Sequence, residues 1–439
     1  MATINPFRGI RYNLERIPDL SDVITQPYDR IHDAEQAAYY AQHPYNFCRI
    51  IYGLREPDLP DNNVYTRALA YAQTWMAENI LIREAQPALY VLEQVATAPN
   101  GQTYVRRGFA AALELTRFEE GVILPHERTL SGPKQDRLNL TRVTQTSWEH
   151  IFILYPDEQQ RINALLEGYL LKHVPIVARE RVIEPAVEQR FWVVRDPLII
   201  SSVVEEMAPK RNLIIADGHH RYETALNYRD EMRARYPDAP ANAAFNYVMA
   251  TFVSMSDPGL VILPTHRLIH SYTRMDSAAL LKALEPYFIV EAQPNRTAME
   301  AGLAQAQPEH PRFGFYDGRY YLLTLKTLET MERLVPERDP AWRALDVAVL
   351  HEIVIEHVMG LTKESVARKE NLDYLRDPNP GYQAVDEGRA NFMFLLNGTR
   401  MEQVRACTVA GEKMPQKSTD FYPKIISGLV AMSLQGELE

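Results

Sequence analysis

Short apolar runs alternate with segments of helical spacing along most of the chain, and this alternation indicates the fold class. Apolar positions at helical spacing predict a helix over about Val64–Asn79. Two strand-like runs follow at Ala88–Val95 and Tyr104–Leu115, and the polar break Ala98-Pro99-Asn100-Gly101 between them predicts a hairpin. We therefore predict an α/β fold (mixed α+β), with a central mixed sheet and flanking α/β regions.

The same periodicities predict further elements downstream. Strands are expected over about His150–Tyr155, Phe191–Arg195, Leu213–Ala216, Phe245–Met255, Val261–Ile269, Arg312–Phe315 and Tyr320–Leu325. Helices are expected over about Lys134–Thr146, Glu158–Lys172, Leu198–Ala208 and Ser277–Leu284, with a long helix over about Trp342–Val358. A final helix and strand are expected within Gln383–Leu396.

The length of 439 residues suggests two or three domains, at roughly 100–200 residues each. We divide the chain into an N-terminal α/β region (1–116), a catalytic core (117–272) and a C-terminal α/β region (273–439). The last region contains the irregular segment Met414–Lys424, which is rich in hydrogen-bond donors. We expect this tail to dock on the rest of the protein rather than to stay solvated, because it contains Phe421 and Tyr422.

The stretch IIADGHHRYETA, residues 214–225, concentrates polar chemistry at a strand-to-helix corner. A buried strand should end at Asp217, and Gly218 gives a tight turn because glycine tolerates backbone angles that other residues avoid. If the helix begins near His219, its unpaired N–H groups and partial positive charge favour an anion. The forked guanidinium of Arg221 suits phosphate oxygens.

The other polar residues of this corner supply the remaining candidate roles. Asp217 could hold Mg²⁺ through one carboxylate oxygen while the ion bridges phosphates. His219 could donate to an anion, and His220 could position a substrate hydroxyl. The alternative is that Asp217 only caps the helix and that the two histidines fill a surface corner.

Three more stretches carry candidate site residues. In ILPHERT, Glu127 is a candidate general base for a hydroxyl, with His126 beside it; a surface salt bridge is the alternative. In VILPTHRLIH, His266 and Arg267 could line the same cleft or simply form a strand edge. In MPQKSTDFYPK, a donor cluster could close over a phosphate, or the segment could be a solvated tail; the cluster's members are Lys417, Ser418, Thr419 and Lys424.

The stretch His351-Glu352-Ile353-Val354-Ile355-Glu356-His357 resembles a zinc motif only superficially. Zinc-binding histidines of that motif lie four residues apart on one helix face. Here they lie six apart, and at 3.6 residues per turn they would leave an α-helix on different faces. We therefore expect an ordinary helix whose core stripe includes Val349, Leu350, Ile353 and Val354.

Composition narrows the possible partners and location. The net charge is −10 and no block of Lys or Arg occurs, which argues against an extended nucleic-acid interface. No run approaches the ~18 apolar residues of a membrane span, and the N-terminus lacks the apolar core of a signal peptide. The two cysteines, Cys48 and Cys407, are too few for a disulfide scaffold. A cytoplasmic location is the expectation.

Several of these stretches together resemble the DUF1015 family, whose function is unknown. They keep a consistent order over nearly the whole chain: Asn5-Pro6-Phe7-Arg8-Gly9, Gln26-Pro27-Tyr28-Asp29, Leu124-Pro125-His126-Glu127-Arg128-Thr129, Ala216-Asp217-Gly218-His219-His220-Arg221-Tyr222, Leu263-Pro264-Thr265-His266-Arg267 and Met414-Pro415-Gln416-Lys417-Ser418-Thr419.

The Asp-Gly-His-His-Arg element is also similar to a motif of the ParB/sulfiredoxin-like superfamily, which includes ParB nucleotidases, sulfiredoxins and free-serine kinases. The nearest local likeness is to the serine kinases, with an Asp-Gly-His-x-Arg element and an upstream catalytic Glu. This likeness implies a ParB/sulfiredoxin-like core within 117–272. It assigns metal binding or catalysis to Asp217, phosphate and substrate binding to Gly218–Arg221, and the base to Glu127.

The sequence therefore predicts a Mg²⁺-dependent phosphotransferase, a small-molecule kinase that moves phosphate between a donor such as ATP or ADP and a small hydroxyl metabolite, with serine as a candidate. Phosphoryl transfer depends mainly on positioning and charge stabilisation. Two alternatives stay open. One is a nucleotide-binding regulator that uses the same corner without turnover. The other is a metal-dependent hydrolase built on Asp217, His219, His220 and His266.

Overall fold

The computed structural model describes residues 1–57, 59–97, 101–127 and 132–438, without the side chains of residues 132 and 133. Its chain contacts separate two compact units. Unit 1 comprises Met1–Pro125, Thr129–Val261 and Pro423–Glu439. Unit 2 comprises His126–Arg128 and Ile262–Tyr422. Whether the three regions 1–116, 117–272 and 273–439 act as independent domains stays a prediction.

Strands are numbered in chain order. They are β1 Ile4–Asn5, β2 Ile10–Tyr12, β3 Leu81–Arg83, β4 Leu89–Thr97, β5 Thr103–Glu114, β6 Ile123–Pro125, β7 Thr146–Ser147, β8 Ile151–Tyr155, β9 Ile176–Arg179, β10 Glu188–Val194, β11 Leu213–Asp217, β12 Tyr247–Ser254, β13 Val261–Leu263, β14 His266–Ile269, β15 Phe288–Gln293, β16 Arg312–Tyr316, β17 Tyr320–Leu325, β18 Leu372–Leu375, β19 Phe392–Leu395, β20 Asp420–Tyr422 and β21 Met432–Ser433.

Helices are numbered in the same way. They are α1 Asp33–Gln42, α2 Cys48–Ile51, α3 Val64–Ala77, α4 Gly132–Thr144, α5 Arg161–Leu170, α6 Pro197–Met207, α7 His219–Arg235, α8 Ser277–Leu284, α9 Arg296–Leu303, α10 Glu329–Leu334, α11 Pro340–Arg343, α12 Asp346–Val349, a π-helix Leu350–Val358, α13 Lys363–Ala367, α14 Asn379–Asp386 and α15 Met401–Val409. Single 3₁₀ turns occur at Leu20–Asp22, Tyr28–Arg30, Phe118–Glu120 and Ala244–Asn246.

Unit 1 is built on a large mixed sheet with the strand order β6-β11-β8-β12-β5-β4-β10-β9, and β1 pairs with β5 beside this path. The β6–β11 and β8–β12 pairs are parallel, whereas the other pairs are antiparallel. Strands β8 and β12 are buried along their whole length. Continuous apolar runs are the expected sequence of strands covered on both faces, so the sheet core explains the apolar runs that predicted these strands.

Unit 2 is built on an antiparallel sheet with the order β15-β17-β16-β19-β14-β18. Strand β19 is buried at every position. Met299 and Leu303 of α9 and Tyr382 and Val385 of α14 pack in the same apolar cluster as β19 residues Met393 and Leu395. Each helix therefore contributes one apolar stripe to the core, as amphipathic helices do.

The mixed α/β class is confirmed, as are most element positions predicted from periodicity. Strands β4 and β5 pair antiparallel, as the hairpin prediction requires, although its break at 98–100 lies outside the described residues. The prediction of one long helix over Trp342–Val358 is confirmed only in part. The chain is helical without a break from Asp346 to Val358, first as α12 and then as the π-helix, whereas Trp342 belongs to the separate short helix α11. In the described part of the chain, no helix has the length and apolar character needed to cross a bilayer.

Close backbone packing in unit 1 makes one glycine sterically necessary. A Cβ atom added at Gly259 would lie 2.2 Å from the Val105 carbonyl oxygen, and overpacking of this kind costs ~1–3 kcal/mol. Gly168 within α5 meets no atom within 4 Å of an added Cβ. There alanine should stabilise by up to ~1 kcal/mol, because glycine is the poorer helix former.

We therefore predict opposite effects of Gly259→Ala and Gly168→Ala on the free energy of unfolding. Urea titration of both variants beside the wild type measures this difference. Equal stability of the two variants would contradict the close approach at Val105.

Candidate functional site

The strand-to-helix corner at Gly218 has the geometry that the sequence predicts. Strand β11 ends at Asp217 and helix α7 begins at His219. Gly218 has φ 88° and is the N-cap of α7, without a side-chain hydrogen bond to the first turn. A side chain is disfavoured there by the left-handed backbone, and an added Cβ would lie 3.0 Å from Nε of Arg221. The 17-residue helix thus opens on a bare glycine turn.

The Asp217 carboxylate is held between two cations. One oxygen pairs with the Arg221 guanidinium, and Oδ1 accepts a hydrogen bond from Nζ of Lys424 at 3.1 Å. Burial by itself raises the pKa of this carboxyl, but the charges of Lys424 and Arg221 outweigh burial and hold the pKa well below its usual range. The group is therefore a carboxylate at all physiological pH values. Its bonds go to side chains, so it does not act as the helix cap.

The Arg221 guanidinium is fixed from several sides within unit 1. Besides Asp217, its Nη1 donates to the His150 carbonyl oxygen at 2.7 Å and lies 3.9 Å from Oε1 of Glu149. Glu149 is buried and also pairs with Nη1 of Arg137 at 3.2 Å. Burial lowers the pKa of Arg221, but Asp217 and Glu149 more than offset it, so the guanidinium stays charged. The Arg221 guanidinium thus provides a positive charge at a fixed position on one side of the corner.

Lys424 reaches Asp217 because the preceding backbone is anchored to the sheet. The buried Arg106 guanidinium donates to the Pro423 carbonyl oxygen. Nε2 of Gln94 donates to the Lys424 carbonyl oxygen at 2.8 Å. Lys424 was seen in the sequence only as part of the tail's donor cluster. Its partner lies 207 residues away, a distance at which local patterns give no signal.

The first turn of α7 carries the two histidines and a second ion pair. Lys134 of α4 pairs with Glu223 of α7. Burial, followed by the Lys134 charge, holds the pKa of His220 below its usual value. The His220 ring is therefore neutral near pH 7 and can serve as a hydrogen-bond donor or acceptor. His219 adds a favourable electrostatic interaction with Asp217.

A small cavity of about 50 Å³ lies beside Arg221 in unit 1, with Arg137, Glu149 and Tyr228 in its lining. The Tyr228 hydroxyl is buried without a hydrogen-bond partner in the described part of the chain. A space of this size holds a few water molecules. Bound water there would satisfy a polar atom that would otherwise be costly to bury.

Asp217 does not fit a preformed magnesium site. Both of its oxygens contact cationic side chains, so a metal ion at this carboxylate would lie beside two positive charges that repel it. Among residues 1–57, 59–97, 101–127 and 132–438, no cluster of three or more His, Cys, Asp or Glu residues could hold a metal ion. We assign no step to magnesium.

Unit 2 contains a second set of predicted site residues. The Thr419 hydroxyl lies 2.7 Å from Nε2 of His126 and donates to Oε1 of Glu127 at 3.3 Å. The backbone N–H of Met414 donates to the His126 carbonyl oxygen at 2.8 Å. Glu127 and the tail residue Thr419, which lie 292 positions apart, therefore belong to one hydrogen-bonded cluster. Phe421 is buried with its ring against His126, so this part of the tail is docked.

The other predicted residues of unit 2 are tied to its core. Arg267 is buried and donates to Nε2 of His351 at 3.2 Å and to the Lys417 carbonyl oxygen at 3.3 Å. Lys417 has the left-handed φ of 57°, which is uncommon for a residue with a side chain. Nδ1 of His266 accepts from the backbone N–H of Leu396 at 3.2 Å. The substrate role predicted for His266 and Arg267 stays a prediction.

The structure thus groups the predicted residues into two sets. Asp217, Gly218, His219, His220 and Arg221 form the corner in unit 1, where Lys424, Glu149 and His150 join them. The cluster in unit 2 comprises His126, Glu127, Lys417, Ser418 and Thr419, with a Ser418 hydroxyl that donates to the Pro415 carbonyl oxygen at 2.5 Å. Their roles in phosphate, substrate and proton handling stay predictions.

Replacing Lys424 by Met should destabilise the protein in a pH-dependent way. The variant leaves Asp217 with one cation and should lose about 1–3 kcal/mol at pH 7. The folded pKa of Asp217 is depressed, so the Lys424 contribution is fully present above the ordinary aspartate value of 3.8. It is lost as the pH falls through the depressed value. Urea unfolding from pH 7 down to acid, with the exposed Lys172→Met as control, measures it; a pH-independent difference would contradict the pairing.

Comparisons with known proteins add a family and several distant structural likenesses. No curated protein matches the chain. A conserved hypothetical protein from Pyrococcus furiosus is 14% identical with a TM-score of 0.32, covering 71% of this chain and 92% of its own. A free serine kinase in complex with AMP is 12% identical with a TM-score of 0.33, covering 70% and 88%. A C-terminally truncated SbnI from Staphylococcus aureus is 9% identical with a TM-score of 0.33, covering 72% and 84%.

A family model gives the firmer result. The model described as "Protein of unknown function (DUF1015)" matches residues 4–348. This span includes β11, the Gly218 turn and Glu127, and it confirms the resemblance found in the sequence. The chain belongs to the DUF1015 family.

Proposed function

We propose that the protein is a phosphotransferase that moves a phosphate between a nucleotide-type donor, such as ATP or ADP, and a small hydroxyl metabolite. Serine is one candidate acceptor. The observation that supports this proposal best is the Gly218 corner, where a long helix begins on a bare glycine beside two cationic side chains, Arg221 and Lys424.

The corner has the chemistry of a phosphate site. The first turn of α7 presents backbone N–H groups that lack acceptors within the helix, and the helix dipole adds about half a positive charge. Gly218 leaves room for phosphate oxygens to approach the backbone. Arg221 supplies a planar forked donor and Lys424 a point charge. In the proposal these groups hold the phosphate that is transferred.

Asp217 has a positioning role in this proposal. Its pKa is too low for it to accept a proton near neutral pH, so it is no general base. It instead keeps Arg221 and Lys424 at the turn, and an incoming phosphate can share their remaining hydrogen-bond donors. His220 is neutral and can donate to the substrate hydroxyl or to the phosphate. Glu127 is the proposed proton acceptor, as the sequence predicts.

A nucleotide-binding regulator is the second candidate. It is favoured by the state of Asp217, which is fully ionised and bonded to two cations. Such a group stabilises a binding site without taking part in proton transfer. Ligand binding without product formation would distinguish this candidate from the first.

Phosphate transfer is the direct test. The purified protein is incubated with ATP, ADP or pyrophosphate and with serine or other small alcohols, and products are followed by ³¹P NMR. We expect a phosphomonoester with at least one donor–acceptor pair. Asp217→Asn should lower kcat/KM by roughly tenfold to a hundredfold, the equivalent of about 1.5–3 kcal/mol for a charged hydrogen bond.

The matched control is Asp238→Asn, since Asp238 is an exposed carboxylate of the same unit. It should leave transfer unchanged. Donor binding without any product, for every donor and acceptor, would reject the phosphotransferase in favour of the regulator. Full activity in Asp217→Asn would show that the Gly218 corner takes no part in phosphate transfer.

The role of Glu127 gives a separate prediction. Glu127→Gln keeps the hydrogen-bonding shape of the side chain but removes its ability to accept a proton. If Glu127 is the base, kcat should fall by roughly 10²–10⁴-fold while donor affinity, measured by calorimetry, stays the same. An equal loss of donor affinity and turnover would show that Glu127 supports the fold of its cluster instead.

A further inference from the structure

Unit 2 contains a cavity of about 210 Å³ that the phosphate proposal does not use. Its lining includes Trp342, His351, Glu352, Glu356, Lys363 and Lys413. The volume is far above the ~10–15 Å³ that a single water requires. The cavity can therefore accept a small organic molecule.

The π-helix Leu350–Val358 places three of these polar side chains at the cavity. π-helical segments are rare and occur frequently at functional sites. Oε1 of Glu352 lies 3.2 Å from Nζ of Lys363, and Oε2 of Glu356 lies 3.5 Å from the same nitrogen. Two carboxylates that are mostly shielded from solvent therefore share a single lysine, which is itself 62% exposed. When both carboxylates are ionised, the group of three carries a net charge of −1.

The pKa of Glu356 reflects the lack of a second positive charge beside the two carboxylates. Burial, followed by the charge of Glu352, raises the pKa of Glu356 to about 7, although Lys363 opposes the change. A second cation between Glu352 and Glu356 would stabilise both carboxylates in their ionised form, so that Glu356 need not bind a proton. A protonated amine is such a cation and can donate up to three hydrogen bonds.

His351 supplies a donor on the same cavity lining. Its side chain is more than nine-tenths buried. Nε2 accepts a hydrogen bond from Nε of Arg267 at 3.2 Å, and because an arginine can only donate, the neutral ring carries its proton on Nδ1. Among the described residues, the hydrogen bond from Arg267 is the one that the His351 ring makes, so this Nδ1–H is available to a ligand in the cavity that His351 lines. A ligand with a hydrogen-bond acceptor would satisfy it.

The rest of the lining is held in place by its own contacts. Nε1 of Trp342 donates to the Lys413 carbonyl oxygen at 3.1 Å, and Arg338 pairs with Glu412 at 2.7 Å while it stacks on Trp342. The segment Met414–Gln416 completes this side. The cavity thus combines a preformed aromatic surface with acidic, basic and neutral donor groups.

We infer that this cavity is a binding site for a small molecule that carries a primary ammonium group next to a hydrogen-bond acceptor, the combination present in α-amino acids. The ammonium binds between Glu352 and Glu356, and the acceptor binds the Nδ1–H of His351. Lys413 provides a cation for a ligand carboxylate. The site does not depend on the phosphate proposal, because binding here needs no phosphate donor.

Calorimetry on the full chain tests the inference without any nucleotide. The probes are the twenty common amino acids, followed by two analogues of the tightest binder: its decarboxylated amine and its deaminated acid. We expect saturable millimolar or tighter binding of at least one amino acid. The amine should bind more weakly and the acid not at all.

Two variants locate the site. Glu356→Gln should weaken binding roughly tenfold or more, the loss expected for one charged hydrogen bond. Lys363→Gln removes the competing cation and should instead tighten binding of the decarboxylated amine. The exposed Glu329→Gln, which is outside the cavity lining, is the matched control. Opposite shifts at Glu356 and Lys363 cannot result from unfolding.

Three results would overturn the inference. One is that no amino acid binds at millimolar concentration. Another is that the deaminated acid binds as tightly as its parent, because then the ammonium is not recognised. The third is that Glu356→Gln and Lys363→Gln leave every affinity unchanged. Loss of phosphate transfer in the corner variants bears only on the phosphate proposal and leaves this test unaffected.

Discussion

The pairing of the Asp217 carboxylate with Arg221 and Lys424 is the constraint on which the candidate site depends. A carboxylate with little solvent contact is costly unless cations and hydrogen bonds compensate it. Here the cations come from the first turn of α7 and from the segment that follows β20. Because Arg221 must also satisfy the His150 carbonyl oxygen and Glu149, the compensation of one charge fixes the geometry of the whole corner.

The same pairing limits how strongly Arg221 and Lys424 can attract a bound anion. Arg221 and Lys424 are already neutralised in part by Asp217, so an anion gains less from them than from two free cations. The backbone donors of the first helical turn are not subject to this competition. Selectivity at the corner should therefore depend on the shape of an anion that fits the glycine turn, more than on its total charge.

The local part of the corner could be predicted from the sequence, but its partners could not. An apolar run followed by Asp217-Gly218 and a helical pattern specifies strand, turn and helix, and all three lie where periodicity placed them. Lys424 and Asp217 are 207 residues apart, and Glu127 and Thr419 are 292 apart. Such contacts follow from sheet topology, which the spacing of apolar residues along the chain does not encode.

The π-helix shows a different limit. The buried stripe that includes Leu350, Ile353 and Val354 was identified correctly, because apolar residues face the core whether the hydrogen bonds run to the fourth or the fifth residue. The choice between α and π bonding depends on tertiary packing. The type of helix also determines where the side chains of Glu352 and Glu356 point, and both of them line the cavity of unit 2. From the sequence, we predict only an ordinary helix with a core stripe here, without a role for Glu352 or Glu356.

Unit 1 is built from segments that are far apart in the chain, and this affects the order in which it can fold. Its last segment, Pro423–Glu439, is separated from the rest by nearly all of unit 2, yet it supplies Lys424 and the strand β21 that pairs with β7. During synthesis the chain emerges from its N-terminus, so unit 2 leaves the ribosome before unit 1 can be completed. The partly buried carboxylate of Asp217 can therefore pair with Lys424 only after the segment that follows unit 2 has been synthesised. Until then Arg221 is the one of these two cations that is available to it.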